Sequence, residues 1–204
     1  TSQFGKGGGN ISAISPPDTW GYYWMDATEP GAEYDWLVMP DAITFTEDDL
    51  ISGSLDDGYF HGIDIPFIWK FYGSYYDSVH VSPNGFMVFQ NDLHLDYGTE
   101  QNRIVPSTWA PNRDNPAAMV STWWDDFDLS DAGEITWWTG AEDSVLVTWS
   151  GMMADTHPGG PYTFQALLLK SGFIKMQYQN MDEAWLLSST IGVQNHDATH
   201  GLQI

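Results

Sequence analysis

Cysteine is absent from the 204 residues. That excludes disulfides, thiolate nucleophiles and Cys-ligated zinc or iron–sulfur centres. Cations are scarce too: six Lys plus Arg stand against 28 Asp plus Glu, a formal net charge of -22. So acidic a chain lacks the basic patch that nucleic acid requires, and anionic lipid disfavours it for the same reason. No apolar run reaches 18 residues, so no segment reads as a membrane-spanning helix. No signal-peptide pattern opens the chain. An extracellular location therefore takes Thr1 as a mature N-terminus after signal cleavage.

One further scarcity is local. Residues 1–17, TSQFGKGGGNISAISPP, hold no Asp or Glu. One cation, Lys6, falls there, so this arm carries +1. The remainder, with five cations against 28 acids, carries -23. An acid-free, slightly basic strip beside so acidic a body is most simply explained by docking, onto its own body or onto a neighbouring copy.

What is present is apolar and aromatic. Hydrophobic residues make up 42% and aromatic residues 15%, enough for one folded domain and too many for a disordered acidic chain. Short segments rich in β-branched and aromatic residues are separated by Gly, Pro, Asn and Asp. The expected strands cover 21–26, 35–38, 42–46, 67–71, 78–82, 86–90, 118–124, 134–139, 144–150, 162–170, 173–179, 190–194 and 202–204. Asn84-Gly85 between alternating segments is a strong hairpin signal. Two more hairpins are expected, around 140–143 and at Ser171-Gly172. Segments 97–116 and 152–161 read as crossing loops, and 182–187 as at most one helical turn. The expected fold is all-β, a two-sheet antiparallel sandwich of jelly-roll type. Residues 1–17 form an extended N-terminal arm and 18–204 the sandwich domain. Pro16-Pro17 separates them, being stiff and unable to donate ladder hydrogen bonds.

The densest acidic stretch runs from Asp125 to Glu134. Hard cations such as calcium take several oxygens from a flexible loop. Asp125, Asp126, Asp128 and Asp131 are the candidate ligands, since Asp126, Asp128 and Ser130 alternate as at the start of a calcium loop. Glycine at the sixth position and a bidentate Glu at the twelfth are missing. The alternative is a solvated acidic loop. Asp48-Asp49 and Asp56-Asp57 are further acid pairs, with turn chemistry as their alternative. His196 and His200 are four apart, but their context is a loop, where that spacing carries no metal signal. No Gly-x-Ser-x-Gly, P-loop or His-Glu-x-x-His occurs. No Glu pair is spaced for retaining glycoside hydrolysis. The expectation is a protein without catalytic residues and without an assured cofactor, calcium being the candidate. Trp109, Trp137 and Trp138 are candidate glycan contacts by ring stacking, with core packing the default. Adjacent strand residues face opposite ways, so one Trp of Trp123-Trp124 and of Trp137-Trp138 should be core. Asn10-Ile11-Ser12 is a candidate N-glycosylation sequon at Asn10, an ordinary loop Asn being the alternative.

In order, Gly21-Tyr22, Trp24, Tyr34, Trp36, Asp48-Asp49, Ile65-Pro66-Phe67, Phe71-Tyr72-Gly73, Asn84-Gly85, Phe89, Trp124-Asp125-Asp126, Phe164-Gln165, Gln177-Tyr178 and Ile191-Gly192-Val193-Gln194-Asn195 form a pattern. Across about 20–204 it resembles secreted β-sandwich modules of bacterial multidomain surface proteins, with distant similarity to the nidogen-type extracellular domain. The resemblance implies an extracellular, non-catalytic module and supplies no catalytic residue.

The arm lies outside that pattern. Sheet margins recruit strands, and an arm with Phe4, Ile11, Ala13 and Ile14 is suited to adding as one. Ile11 and Ala13 share a face. Gly7, Gly8 and Gly9 permit close backbone approach, and Lys6 adds modest attraction to an acidic partner. Head-to-tail donation that does not close makes a filament. The leading expectation is thus a self-assembling structural subunit whose partners are copies of itself. The alternative is a glycan-binding or adhesin module, calcium-dependent in one version.

Overall fold

A computed structural model gives the fold of residues 14–89, 103–106, 116–140, 142–182 and 188–204. Two antiparallel sheets carry it. One has five strands, in the order β1 (Ile43–Thr44), β8 (Glu134–Gly140), β9 (Ser144–Met152), β10 (Tyr162–Leu169) and β11 (Ile174–Asn180). The other has six: β13 (Gly201–Gln203), β12 (Thr190–Gln194), β7 (Met119–Trp124), β6 (Phe86–Val88), β5 (Ser74–Ser82) and β4 (Ile63–Phe71). A small hairpin, β2 (Leu50–Gly53) with β3 (Gly58–Phe60), stands apart. The all-β sandwich expected from the sequence is the observed architecture.

Alternation explains how the sheets face each other. In β4, Ile63, Ile65, Phe67, Trp69 and Phe71 are buried while Asp64, Pro66, Ile68 and Lys70 are exposed. Phe164, Ala166 and Leu168 of β10 and Val145, Val147 and Trp149 of β9 meet them in one core. Each such side chain, fully buried, contributes about 1.5–3 kcal/mol. Two hydrogen bonds cross the core: Trp149 Nε1 donates to Ser82 O (3.0 Å) and Tyr178 O–H to Thr122 O (2.9 Å).

The outer face of the six-stranded sheet is covered as well. Tyr59, Phe86, Val88, Val105, Met119 and Trp124 form a second buried cluster. Trp123 and Trp124 therefore fall on opposite faces, as a strand requires, yet both are buried. A bulge accompanies them: Gly85 O accepts from Thr122 N (3.1 Å) and Trp123 N (3.0 Å). Two carbonyl-sharing residues opposite one are the signature of a β-bulge.

All three expected hairpins form, joining β5 to β6, β8 to β9 and β10 to β11. A fourth, between β4 and β5, turns at Tyr72 (φ 46°) and Gly73 (φ 80°). Two successive positive φ values match the twist of the flanking strands. The expected strand at 21–26 is a single bridge, Met25 to Ile14, and 35–38 is extended without ladder pairing. Segment 35–37 is strapped across the five-stranded sheet by two glutamines instead. Leu37 N and Asp35 N donate to Gln165 Oε1 (3.2 Å) and Gln177 Oε1 (2.7 Å), and Gln165 Nε2 returns a bond to Leu37 O (3.2 Å).

The sheets are unequal. β7 packs over β10. Beyond that pair the six-stranded sheet continues with β12 and β13, the five-stranded sheet with β11 alone. Ile174 and Met176 of β11, Ile191 of β12 and Leu202 of β13 pack on the core but are only partly buried.

Candidate functional site

One end of the sandwich gathers four loops around Asn84, which is fully buried. The side chain works in both directions. Its Nδ2 donates to Asp57 Oδ1 (2.9 Å) in the β2–β3 turn, and its Oδ1 accepts from Phe127 N (2.7 Å) beyond β7. Its carbonyl accepts from Asp125 N (3.3 Å). Gly85 is needed beside it: φ is 79°, and a Cβ there would lie 2.0 Å from Trp123 O. Asn84-Gly85, legible as a turn, is also the clamp that fixes the acidic segment.

That clamp sends adjacent carboxylates to different neighbourhoods. Asp126, buried, turns toward Asp56 and Asp57, and one oxygen from each of the three lies within 4.8 Å of the others. An all-oxygen set of this kind suits a hard cation, which takes six to eight oxygens and accepts bidentate carboxylates. These three are the residues that would hold calcium. The loop is braced nearby by Asp155 N donating to Asp126 O (2.9 Å) and by the Phe127–Ala154 bridge.

Asp125 turns the other way. Its Oδ2 lies 3.2 Å from His157 Nε2 and accepts from Ser188 Oγ (2.6 Å), and Ser188 Oγ is also 3.2 Å from His157 Nε2. The His157 and Asp125 side chains are each 6% exposed. A nucleophile relay needs the carboxylate on one imidazole nitrogen and the hydroxyl on the other. Here both face Nε2, which makes a hydrogen-bonded tie between loops. Tyr162 packs its ring edge against His157 at 6.2 Å. Its hydroxyl is buried without a hydrogen-bond partner among the described residues. Burial, then the charges of Asp182 and Asp125, push its pKa up to about 12.

The remaining candidates scatter. Asp128 Oδ1 accepts from Ser130 N (2.8 Å) and Oγ (2.6 Å) in a local turn, and Asp131 is exposed beyond it. Of the four acidic candidates in this stretch, only Asp126 joins the three-carboxylate group. Asp56 and Asp57 join it from 69 or more positions upstream in a turn that sequence spacing does not connect with it. Asp49 caps the 3-10 turn at Glu47–Asp49, and hydrogen bonds from Thr46 hold its pKa down. Trp137 packs on Phe45 (6.3 Å) in the interior, and Trp138 lies on the opposite face; both are half-buried. Trp109 lies outside the described residues. Trp20, which sequence reading passed over, is 51% exposed, with its edge toward Tyr72 and His200. His196 and His200 sit in an exposed turn, His200 bonded to Thr199 Oγ1 (2.9 Å).

Of the arm, Phe4, Lys6, Gly7, Gly8, Gly9, Asn10, Ile11 and Ala13 lie outside the described residues. Its root is placed. Ile14 bridges Met25 antiparallel, Ser15 N donates to Trp24 O (2.9 Å), and Trp24 N donates to Ser15 Oγ (3.0 Å).

No helix among the described residues is long and apolar enough to cross a membrane. No curated protein and no solved structure matches the chain. A family model described as NIDO related matches residues 37–203, nearly all of the sandwich. The family is typically extracellular. The chain belongs to the NIDO-related family.

Proposed function

We propose that the protein is a non-enzymatic structural subunit of an extracellular assembly, joined copy to copy by strand donation from the N-terminal arm. The observation that carries this reading is the charge contrast: an acid-free arm of +1 on a body of -23. Bodies so charged repel one another. Contact between copies is favoured through the acid-free, slightly basic arm. Ile14 and Ser15 are paired within their own chain, with Met25 and Trp24, so the segment donated in this reading is residues 1–13. Removing residues 1–15 and measuring particle size by sedimentation is the test. Loss of assembly with a folded monomer is expected, and continued assembly contradicts donation.

A second reading is favoured by the convergence of Asp56, Asp57 and Asp126. In it the module is an adhesin whose loop end is braced by calcium. Binding to a glycan array that disappears with chelator would support it. A well-folded sample with no glycan binding in either condition would remove it.

A further inference from the structure

We infer that the acceptor for the donated arm is the margin of β11 in a second copy, which no strand among the described residues covers and where the five-stranded sheet has one strand fewer than the sheet it faces. This rests on reading the arm as a donor.

Beyond the β7–β10 pair the two sheets fall out of step, with β12 and β13 on one side and only β11 on the other. β11 ends its sheet. Its core-facing residues follow from the register: Leu168 pairs with Ile174 and Ala166 with Met176, and both β10 residues are fully buried. Ile174 and Met176 nevertheless remain partly exposed. Across from them, Ile191 and Leu202 are partly exposed as well, although Leu202 pairs with buried Val193. These four residues line the step between the sheets. At the opposite margin the core-facing residues of β4 are all buried, so an added strand there covers no core.

The occupant follows from charge and shape. A second body of -23 is repelled, whereas the arm is acid-free. β11 has seven residues, and residues 7–13 supply a strand of equal length. Side chains alternate along a strand. Gly7, Gly9, Ile11 and Ala13 then share the face toward the step, two apolar side chains and two glycines that let the backbones approach. Main-chain bonds to β11 hold the strand, and Ile11 covers the partly exposed Ile174, Met176, Ile191 and Leu202. This is β-augmentation at an incomplete core.

The chain has no cysteine, so paired substitutions report contact without background. Ser12→Cys is combined in turn with Lys175→Cys, with Gln179→Cys on β11, and with Lys70→Cys on β4 as control, and oxidised under assembly conditions. The expected result is a ladder of covalent multimers for the β11 pairs, collapsing to monomer on reduction, and little ladder for the β4 pair. A ladder only with Lys70→Cys, a bond closed within one chain, or no bond with any pair overturns the assignment. Removal of residues 1–15 separates the two claims. If it abolishes assembly while the β11 pairs stay uncrosslinked, donation stands and the acceptor is elsewhere; if assembly survives, donation itself fails.

Discussion

At the scale of single residues, two buried polar groups behave in opposite ways. Asn84 uses both ends of its amide, to Asp57 and to Phe127 N. Asn84→Ala leaves those partners unsatisfied in the interior and is expected to destabilise the fold by about 2–3 kcal/mol, read by denaturant unfolding. Tyr162 has a buried hydroxyl with no partner among the described residues. Tyr162→Phe removes that unmet group, and stability at pH 7 should hold or rise by about 1 kcal/mol. The pH dependence follows from the raised pKa, from 10.0 to about 12. Below pH 10 the phenol is neutral folded and unfolded, and the stabilising contribution is fully present. Between 10 and about 12 the unfolded phenol ionises first, so stability falls as pH rises through that window. Alkaline unfolding curves should show a smaller loss for Tyr162→Phe than for the parent chain, and an equal loss would contradict the assignment. Neither role is written in the sequence. Asn-Gly announces a turn, but a buried bridge between loops depends on which segments that turn meets.

At the scale of elements, runs of β-branched and aromatic residues made β8, β9 and β10 legible, and of β4 and β5 only the parts at 67–71 and 78–82, because one face of each must be apolar to reach the core. The 21–26 and 35–38 segments have the same composition without the same partner. Segment 35–37 meets the side chains of Gln165 and Gln177 rather than a strand backbone. Aromatic residues mark both outcomes equally. β2 and β3 were missed because Gly53, Asp56, Asp57 and Gly58 read as one long turn, while the strands beside them are four and three residues long. The strap gives a prediction of its own. Gln165→Ala deletes its two bonds with Leu37 and its bond with Gln177. A loss of about 2 kcal/mol is expected, with faster limited proteolysis near Trp36–Val38. Unchanged proteolysis would show that the strap is held by other contacts. The loop cluster yields another. Calcium should raise the melting temperature, by about 2.7 kcal/mol of added stability at a hundredfold excess over its dissociation constant. Asp126→Asn should abolish the response while leaving the chelated protein's melting temperature close to that of the parent. No calcium response in the parent chain would leave the three carboxylates as an acidic cluster only.

At the scale of the whole molecule, charge and architecture point the same way. The sandwich buries aromatic residues on two faces, between the sheets and in the Tyr59–Trp124 cluster on the outer side, while Trp20, Tyr34 and Tyr75 stay exposed. That explains why tandem tryptophans, of which alternation required only one in the core, are both buried at Trp123-Trp124. In the proposed assembly the acidic body is kept from its neighbours by its own charge, and the acid-free arm is the segment that joins them. The fold class was legible because strand periodicity is local. The step between the sheets was not, since it depends on how many strands each sheet has after the chain has crossed between them several times.

Sedimentation of the intact chain beside the chain lacking residues 1–15, at equal concentration and ionic strength, tests strand donation most directly. Large particles from the intact chain and folded monomers from the truncated one are predicted. Particles of the same size from both, or monomers from both, would contradict assembly through the arm.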